Sequence, residues 1–144
     1  MIASFHHVAI STPNFDRCIN FYCGLLGMEL LVDTPFAGEI YKTIMAVSNA
    51  EGRAAMLRLG DFHLEIFEFS KADPSATQFS RPVSKPGFTH ICFCVSDIEY
   101  EYQRLSDQGI SFHCPPQNFG AAKATYGRDP DGNIFELNER EVDL

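Results

Sequence analysis

Apolar and polar positions follow the same order twice along the chain. Residues 5–11 and 88–95 alternate with a period of two, as half-buried strands do. Behind Asn14, the residues Phe15, Cys18, Ile19, Tyr22 and Leu26 recur at helical spacing up to Gly27. Behind Asp97, the residues Ile98, Tyr102 and Leu105 do the same up to Gly109. Asn and Asp are strong helix N-caps and Gly a common stop, so each half opens strand, then helix. Further strands are predicted over residues 29–33, 42–48, 54–59 and 63–69 of the first half. The second half offers residues 110–113, 121–127 and 133–138. Turn signals, Gly60-Asp61 and Asp129-Pro130-Asp131-Gly132, precede the last strand of each half.

The halves also match residue by residue. Phe5-His6-His7-Val8-Ala9-Ile10 aligns with Phe88-Thr89-His90-Ile91-Cys92-Phe93, so that His90 lies 83 residues beyond His7. Asn14 and Asp97 keep that offset. Glu65-Ile66-Phe67-Glu68 aligns with Glu136-Leu137-Asn138-Glu139 at an offset of 71, the second half being shorter in between. Residues 71–87 hold three prolines with Ser, Thr and Gly and no apolar period, the composition of a linker. The expectation is one domain over residues 1–144: a first module at 1–70, a linker at 71–87 and a second module at 88–144. The fold class is α+β. Each sheet carries a helix on its outer face, and two such sheets side by side leave a concave face open to a ligand.

Period two places chemistry on that open face. His7 shares a side of its strand with Ala9, and His90 with Cys92 and Cys94. Leu64 and Ile66 face the helix, leaving His63, Glu65 and Phe67 on the other side; Phe135 and Leu137 likewise leave Glu136 and Asn138. A pseudo-twofold relation between the halves lets two His and two Glu converge. Two neutral imidazoles and two carboxylates balance a divalent ion, and suit a first-row or hard cation rather than a closed thiolate zinc site. Four protein ligands on a six-coordinate ion leave two positions open. His6 is the neighbour competing with His7, but its strand face is the packed one in this reading. Glu68 and Glu139 read as solvated, and His63 and His113 as structural or surface residues.

Composition narrows the partners. Apolar residues are 45% and charged residues 21% of the chain, globular values. A net charge of −8 lacks the basic footprint of a nucleic-acid binder. The first residues have no basic, apolar leader pattern and no run is long enough to span a bilayer, so a cytoplasmic protein with no membrane partner is expected. Five cysteines, an odd number without a Cys-x-x-Cys pair, read as reduced, buried thiols. Arg53, Arg58, Lys123 and Arg128 are candidates to hold an anionic substrate tail, and Phe67 to line the cleft.

The combination of Phe5-His-His-Val-Ala-Ile10, Asn14-Phe-Asp-Arg-Cys-Ile-Asn-Phe-Tyr-Cys-Gly-Leu-Leu-Gly-Met28, His63-Leu-Glu-Ile-Phe-Glu68, Gly87-Phe-Thr-His-Ile-Cys-Phe93 and Arg128-Asp-Pro-Asp-Gly-Asn-Ile-Phe-Glu-Leu137 resembles the vicinal oxygen chelate superfamily. That superfamily includes glyoxalase I, methylmalonyl-CoA epimerase, extradiol dioxygenases, and fosfomycin and bleomycin resistance proteins. The resemblance covers nearly the whole chain. It implies paired βαβββ modules forming a curved, cleft-shaped mixed sheet. It implies metal positions at His7, Glu65, His90 and Glu136, the set selected above from period two. The ion would be Ni, Co, Zn, Mn, Mg or Fe. An acidic residue at position 65 favours the isomerase and epimerase members over ring-cleaving dioxygenases. The implied function is a metal-dependent isomerase, epimerase or lyase of the glyoxalase type. It would abstract a proton next to a chelated carbonyl of a small thioester or hemithioacetal-like substrate, with Glu136 or Glu65 as base. The alternatives are an Fe(II) ring-cleaving dioxygenase using His7, His90 and Glu136, and a non-catalytic small-molecule binding or resistance protein. Short members often form homodimers.

Overall fold

The computed structural model describes residues 3–71 and 81–140; residues 72–80 of the expected linker lie outside the described residues. The chain divides into two compact units, Met1–Ala76 and Thr77–Leu144.

The first unit holds β1 (Val8–Ser11), α1 (Phe15–Ile19), β2 (Glu29–Phe36), α2 (Glu39–Met45), β3 (Gly52–Leu59) and β4 (Phe62–Phe69). Its sheet runs β1-β4-β3-β2, with β1 parallel to β4 and the other pairs antiparallel. The second unit repeats that plan with β5 (Ile91–Cys94), α3 (Ile98–Asp107), β6 (Gln117–Asn118), β7 (Ala122–Arg128) and β8 (Ile134–Arg140), in the order β5-β8-β7-β6. β5 is parallel to β8, and β8-β7-β6 is antiparallel. The fold is thus α+β, built from two four-stranded mixed sheets.

Each sheet buries its helix-facing side. Leu57, Leu64 and Ile66 are inaccessible beneath Phe15, Cys18, Phe21 and Tyr22 of the first unit. Phe135 and Leu137 play that part with Ile98 and Leu105 in the second. Burying a side chain of this size contributes about 1.5–3 kcal/mol. After α1 the helix widens into a π-helical segment, Asn20–Leu25, closed by Leu26 N–H donating to the Phe21 carbonyl. Phe21 and Tyr22, three and four residues beyond the buried Cys18, share its face and are both in the core.

Identical caps start both helices. Asn14 adopts φ −147° and ψ 93° and its side chain accepts from the Arg17 amide; Asp97 adopts φ −146° and ψ 93° and accepts from the Tyr100 amide. A second acceptor comes from the far strand. Glu68 Oε1 accepts from the Phe15 amide at 3.0 Å, and Glu139 Oε2 from the Ile98 amide at 2.8 Å. These two glutamates are therefore helix caps, not the solvated side chains the sequence led us to expect. The three-residue spacing in Glu-x-x-Glu explains it: with period two, Glu65 and Glu136 fall on one side of each sheet, and Glu68 and Glu139 on the helix side.

Two predicted strands are absent. Residues 42–48 fall largely within α2, where Lys42 and Glu39 pair at 2.6 Å one turn apart and Ala46 stops the helix at φ 54°. Residues 110–113 form only an isolated bridge, Phe112 with Gly127. The following Pro115 and Pro116 lack the N–H groups that a ladder needs. Gly52 is fixed by a close approach: a Cβ there would lie 1.9 Å from the Glu68 carbonyl oxygen.

Candidate metal centre

Both candidate histidines stand immediately before a parallel edge strand. β1 pairs with β4 as Val8↔Leu64 and Ala9↔Glu65; β5 pairs with β8 as Ile91↔Phe135 and Cys92↔Glu136. The same register in both sheets sets His7 beside Glu65 and His90 beside Glu136. His7 Nε2 lies 3.1 Å from Glu65 Oε2, and His90 Nε2 lies 3.0 Å from Glu136 Oε2. The second pair is the more enclosed: His90 and Glu136 side chains are 25% and 12% exposed, against 36% and 24% for His7 and Glu65.

The other imidazole nitrogen is engaged in each half. His7 Nδ1 is 2.7 Å from His6 Nδ1, and His90 Nδ1 is 2.9 Å from Thr89 Oγ1. His6 and Thr89 are equivalent in the repeat. Both an imidazole and a hydroxyl can donate or accept, so either partner supports either tautomer of the histidine it holds. His6 is exposed rather than on a packed face, and its ring stacks on His63 with centroids 5.8 Å apart. His6 and Thr89 were not recognised from sequence as orienting groups; their position just before the paired histidines was the available signal.

The donor set fits a divalent cation. Each half presents a histidine with Nε2 turned to a carboxylate and Nδ1 held by a neighbour, and a metal-ligating imidazole is commonly held in this way through its other ring nitrogen. The sequence-predicted set stands as two pairs, His7 with Glu65 in the first unit and His90 with Glu136 in the second. Among the described residues, no group of three or more His, Cys, Asp or Glu is gathered as a metal site.

The second pair has polar support that, among the described residues, the first lacks. Asn138 Nδ2 donates to Glu136 Oε1 at 2.7 Å, and Arg140 Nε donates to Asn138 Oδ1 at 2.9 Å. Asn138 is only 2% exposed. The equivalent residue in the first half is Phe67, beside Glu65 on β4. Phe67 packs edge-to-face on Phe36 at 5.6 Å, so it is part of an aromatic cluster on the Glu65 side of the sheet. Tyr126, opposite Glu136, lies 5.0 Å from the His90 ring. Burial raises the Tyr126 phenol, and Glu136 adds to the rise. Partial burial of its sulfur, and then Glu136, pushes the Cys92 thiol up to about 11, so Cys92 stays protonated at neutral pH.

The four cationic candidates all have protein partners. Arg53 grips Asp33 through two hydrogen bonds of 2.8 and 2.6 Å, reaches Asp16 at 3.1 Å and lies 4.0 Å above the Phe15 ring. It therefore lies on the helix side of the sheet, away from Glu65. Arg58 pairs with Glu29, and Lys123 stands 4.0 Å from Glu99. Arg128 donates to the carbonyls of Gly132 and Arg81 at 2.7 and 3.1 Å, and lines a cavity of about 280 Å³ with Gly109, Ile110, Ser111, Asp129 and Pro130. All five cysteines are free, but only Cys18 is buried; Cys92, Cys94 and Cys114 are exposed, against the expectation of buried thiols. Among the described residues no helix is long and apolar enough to cross a membrane.

Residues 4–137 match the family described as the Glyoxalase/Bleomycin resistance protein/Dioxygenase superfamily. Among curated relatives, the chain is 26% identical to metallothiol transferase FosB of Staphylococcus saprophyticus, over 96% of this chain and 78% of that one. It is 32% identical to the 2-epi-5-epi-valiolone epimerase of an Actinomyces species, over 72% of this chain and 57% of that one. It is 26% identical to the lactoylglutathione lyase of Pseudomonas aeruginosa, over 92% and 80%. Among solved structures, a glyoxalase family protein from Bacillus cereus superposes with a TM-score of 0.88 at 22% identity, covering 97% of this chain and 95% of that one. A glyoxalase family protein from Enterococcus faecalis gives 0.68 at 31% identity, covering 94% and 97%. The fosfomycin resistance protein FosX of Listeria monocytogenes, solved with Mn(II) and 1S,2S-dihydroxypropylphosphonic acid, gives 0.65 at 16% identity, covering 100% and 96%.

Proposed function

The chain belongs to the Glyoxalase/Bleomycin resistance protein/Dioxygenase superfamily, and from that premise we propose that it is a metal-dependent isomerase, epimerase or lyase. The observation that carries the reading is the repeated pair: His7 Nε2 with Glu65 Oε2 at 3.1 Å and His90 Nε2 with Glu136 Oε2 at 3.0 Å, with Nδ1 engaged in both. In this reading His7, Glu65, His90 and Glu136 serve as ligands of a divalent cation. When bound, that cation supplies Lewis-acid polarisation of a substrate carbonyl.

The chain's own groups handle the proton. A carboxylate of Glu65 or Glu136 takes the proton from the carbon next to the carbonyl and returns it to the opposite face or to the neighbouring carbon. His6 and Thr89 hold the imidazoles in orientation, so the two histidine nitrogens need no rearrangement as substrate binds. Phe67 and its aromatic neighbours give the wall beside Glu65 an apolar character that suits the carbon skeleton of a small substrate. Relatives named as a lactoylglutathione lyase, a 2-epi-5-epi-valiolone epimerase and a metallothiol transferase support an enzyme rather than a binding module. The protein acts as a homodimer and works in the cytoplasm in this reading.

The test is turnover of hemithioacetals and of 2-substituted acyl thioesters by protein loaded in turn with Ni, Co, Zn, Mn and Mg. Isomerisation, or exchange of the carbon-bound proton with deuterium from solvent, is the expected result, abolished by EDTA and by the Glu→Gln change at the base. Oxygen uptake with catechols by the iron-loaded protein, with no proton exchange under any metal, would overturn the reading. So would ligand binding that survives EDTA unchanged.

A further inference from the structure

The two His–Glu pairs are alike in distance but not in support, and we infer that Asn138, oriented by Arg140, is a positioning residue that fixes Glu136 as a carboxylate ligand beside His90, a support that Glu65 does not have. The inference rests on the metal reading above and deepens it.

The direction of the relay is forced by chemistry. A guanidinium only donates and a carboxylate only accepts. Between Arg140 Nε and Glu136 Oε1, the Asn138 amide can therefore stand only with Oδ1 toward Arg140, at 2.9 Å, and Nδ2 toward Glu136, at 2.7 Å. Asn138 is buried, so neither bond is exchanged cheaply for water. Glu136 then has Oε1 anchored and Oε2 directed at His90 Nε2. Rotation of that carboxylate breaks a charge-assisted hydrogen bond in a site where it is only 12% exposed. Glu65 has Phe67 at the equivalent place, and an aromatic ring offers no amide donor. Glu65 is also twice as exposed, at 24%, so water is at hand when its carboxylate turns.

The experiment is a set of Mn(II) binding titrations, read by the electron paramagnetic resonance signal of free Mn(II), on wild type, Glu65→Gln, Glu136→Gln, Asn138→Ala, Arg140→Met and the Asn138→Ala/Glu136→Gln double variant. Circular dichroism melts report whether each variant folds. Asn138→Ala should weaken Mn(II) binding about 10–100-fold, as loss of a second-sphere partner does. Glu136→Gln should cost more affinity than Glu65→Gln. The double variant should bind no more weakly than Glu136→Gln alone, because Asn138 acts through Glu136. Wild-type affinity in Asn138→Ala, or losses that add in the double variant, overturns the positioning role while the metal reading stands. No Mn(II) binding by wild type overturns the metal reading and this role with it. Should Asn138→Ala fail to fold, the exposed Arg140→Met decides: a weakened affinity that vanishes in the Glu136→Gln background supports the relay, and unchanged affinity overturns it.

Discussion

Replacing Glu139 by Leu tests whether the second glutamate of each Glu-x-x-Glu is a helix cap. Its Oε2 accepts from the Ile98 amide at 2.8 Å, while Asp97 Oδ1 serves the Tyr100 amide at 3.0 Å. Ile98 is fully buried, so its amide has little access to replacement water. An orphaned buried donor costs about 1–3 kcal/mol. Glu139→Gln keeps an acceptor oxygen and loses only the charge at the positive helix end, about 0.3–1 kcal/mol. At roughly 2–4 °C per kcal/mol for a chain of this size, the Leu variant should melt about 2–12 °C lower and the Gln variant about 1–4 °C lower. Urea unfolding followed by circular dichroism separates the two. Asp97→Ala should add its own loss of about 0.5–2 kcal/mol, since it serves a different amide. A Glu139→Leu protein within about 0.3 kcal/mol of wild type would refute the cap and restore the solvated reading. Equal losses for Gln and Leu would show that the charge, not the hydrogen bond, is what counts.

Three further outcomes follow from particular contacts. Glu68→Leu should behave as Glu139→Leu does, because Glu68 serves the Phe15 amide in the same way; opposite outcomes in the same urea assay would show that the two caps are not equivalent. Hydrogen bonds from Arg53 hold the Asp33 carboxyl below the usual carboxylate range. A lowered folded-state value means that the stabilisation is present above the ordinary Asp value, about pH 4, and is lost as pH falls through the lowered one. The stability difference between wild type and Asp33→Asn, measured by urea titration, should therefore shrink below about pH 4 and be flat above pH 5. Gly52→Ala forces a Cβ to 1.9 Å from the Glu68 carbonyl and should cost about 1–3 kcal/mol or more, read by thermal melting.

What the sequence disclosed was mostly what repetition and period two impose. The His7/His90 and Glu65/Glu136 equivalences were legible because one residue's shift in register would move every side chain across the sheet. The two sheets do carry those residues in matching registers. The Glu68 and Glu139 caps were missed because their acceptor role depends on a tertiary contact with a helix 53 and 41 residues away in sequence. α2 was read as a strand because seven residues make only two helical turns, too few for Ile40 and Ile44 to reveal a period, and both are exposed. The π-helical turn had no sequence signal. The cationic candidates were indistinguishable by sequence; their partners Asp33, Asp16, Glu29 and Glu99 come from other elements.

The central claim is that the two His–Glu pairs serve one cation. Calorimetric titration of the purified, EDTA-treated chain with Ni(II) or Mn(II), alongside His7→Ala and His90→Ala, addresses it directly. One ion per chain, with tight binding lost in either variant, is the predicted result. Two independent ions per chain, each abolished by only one of the substitutions, or no binding at all, would contradict it.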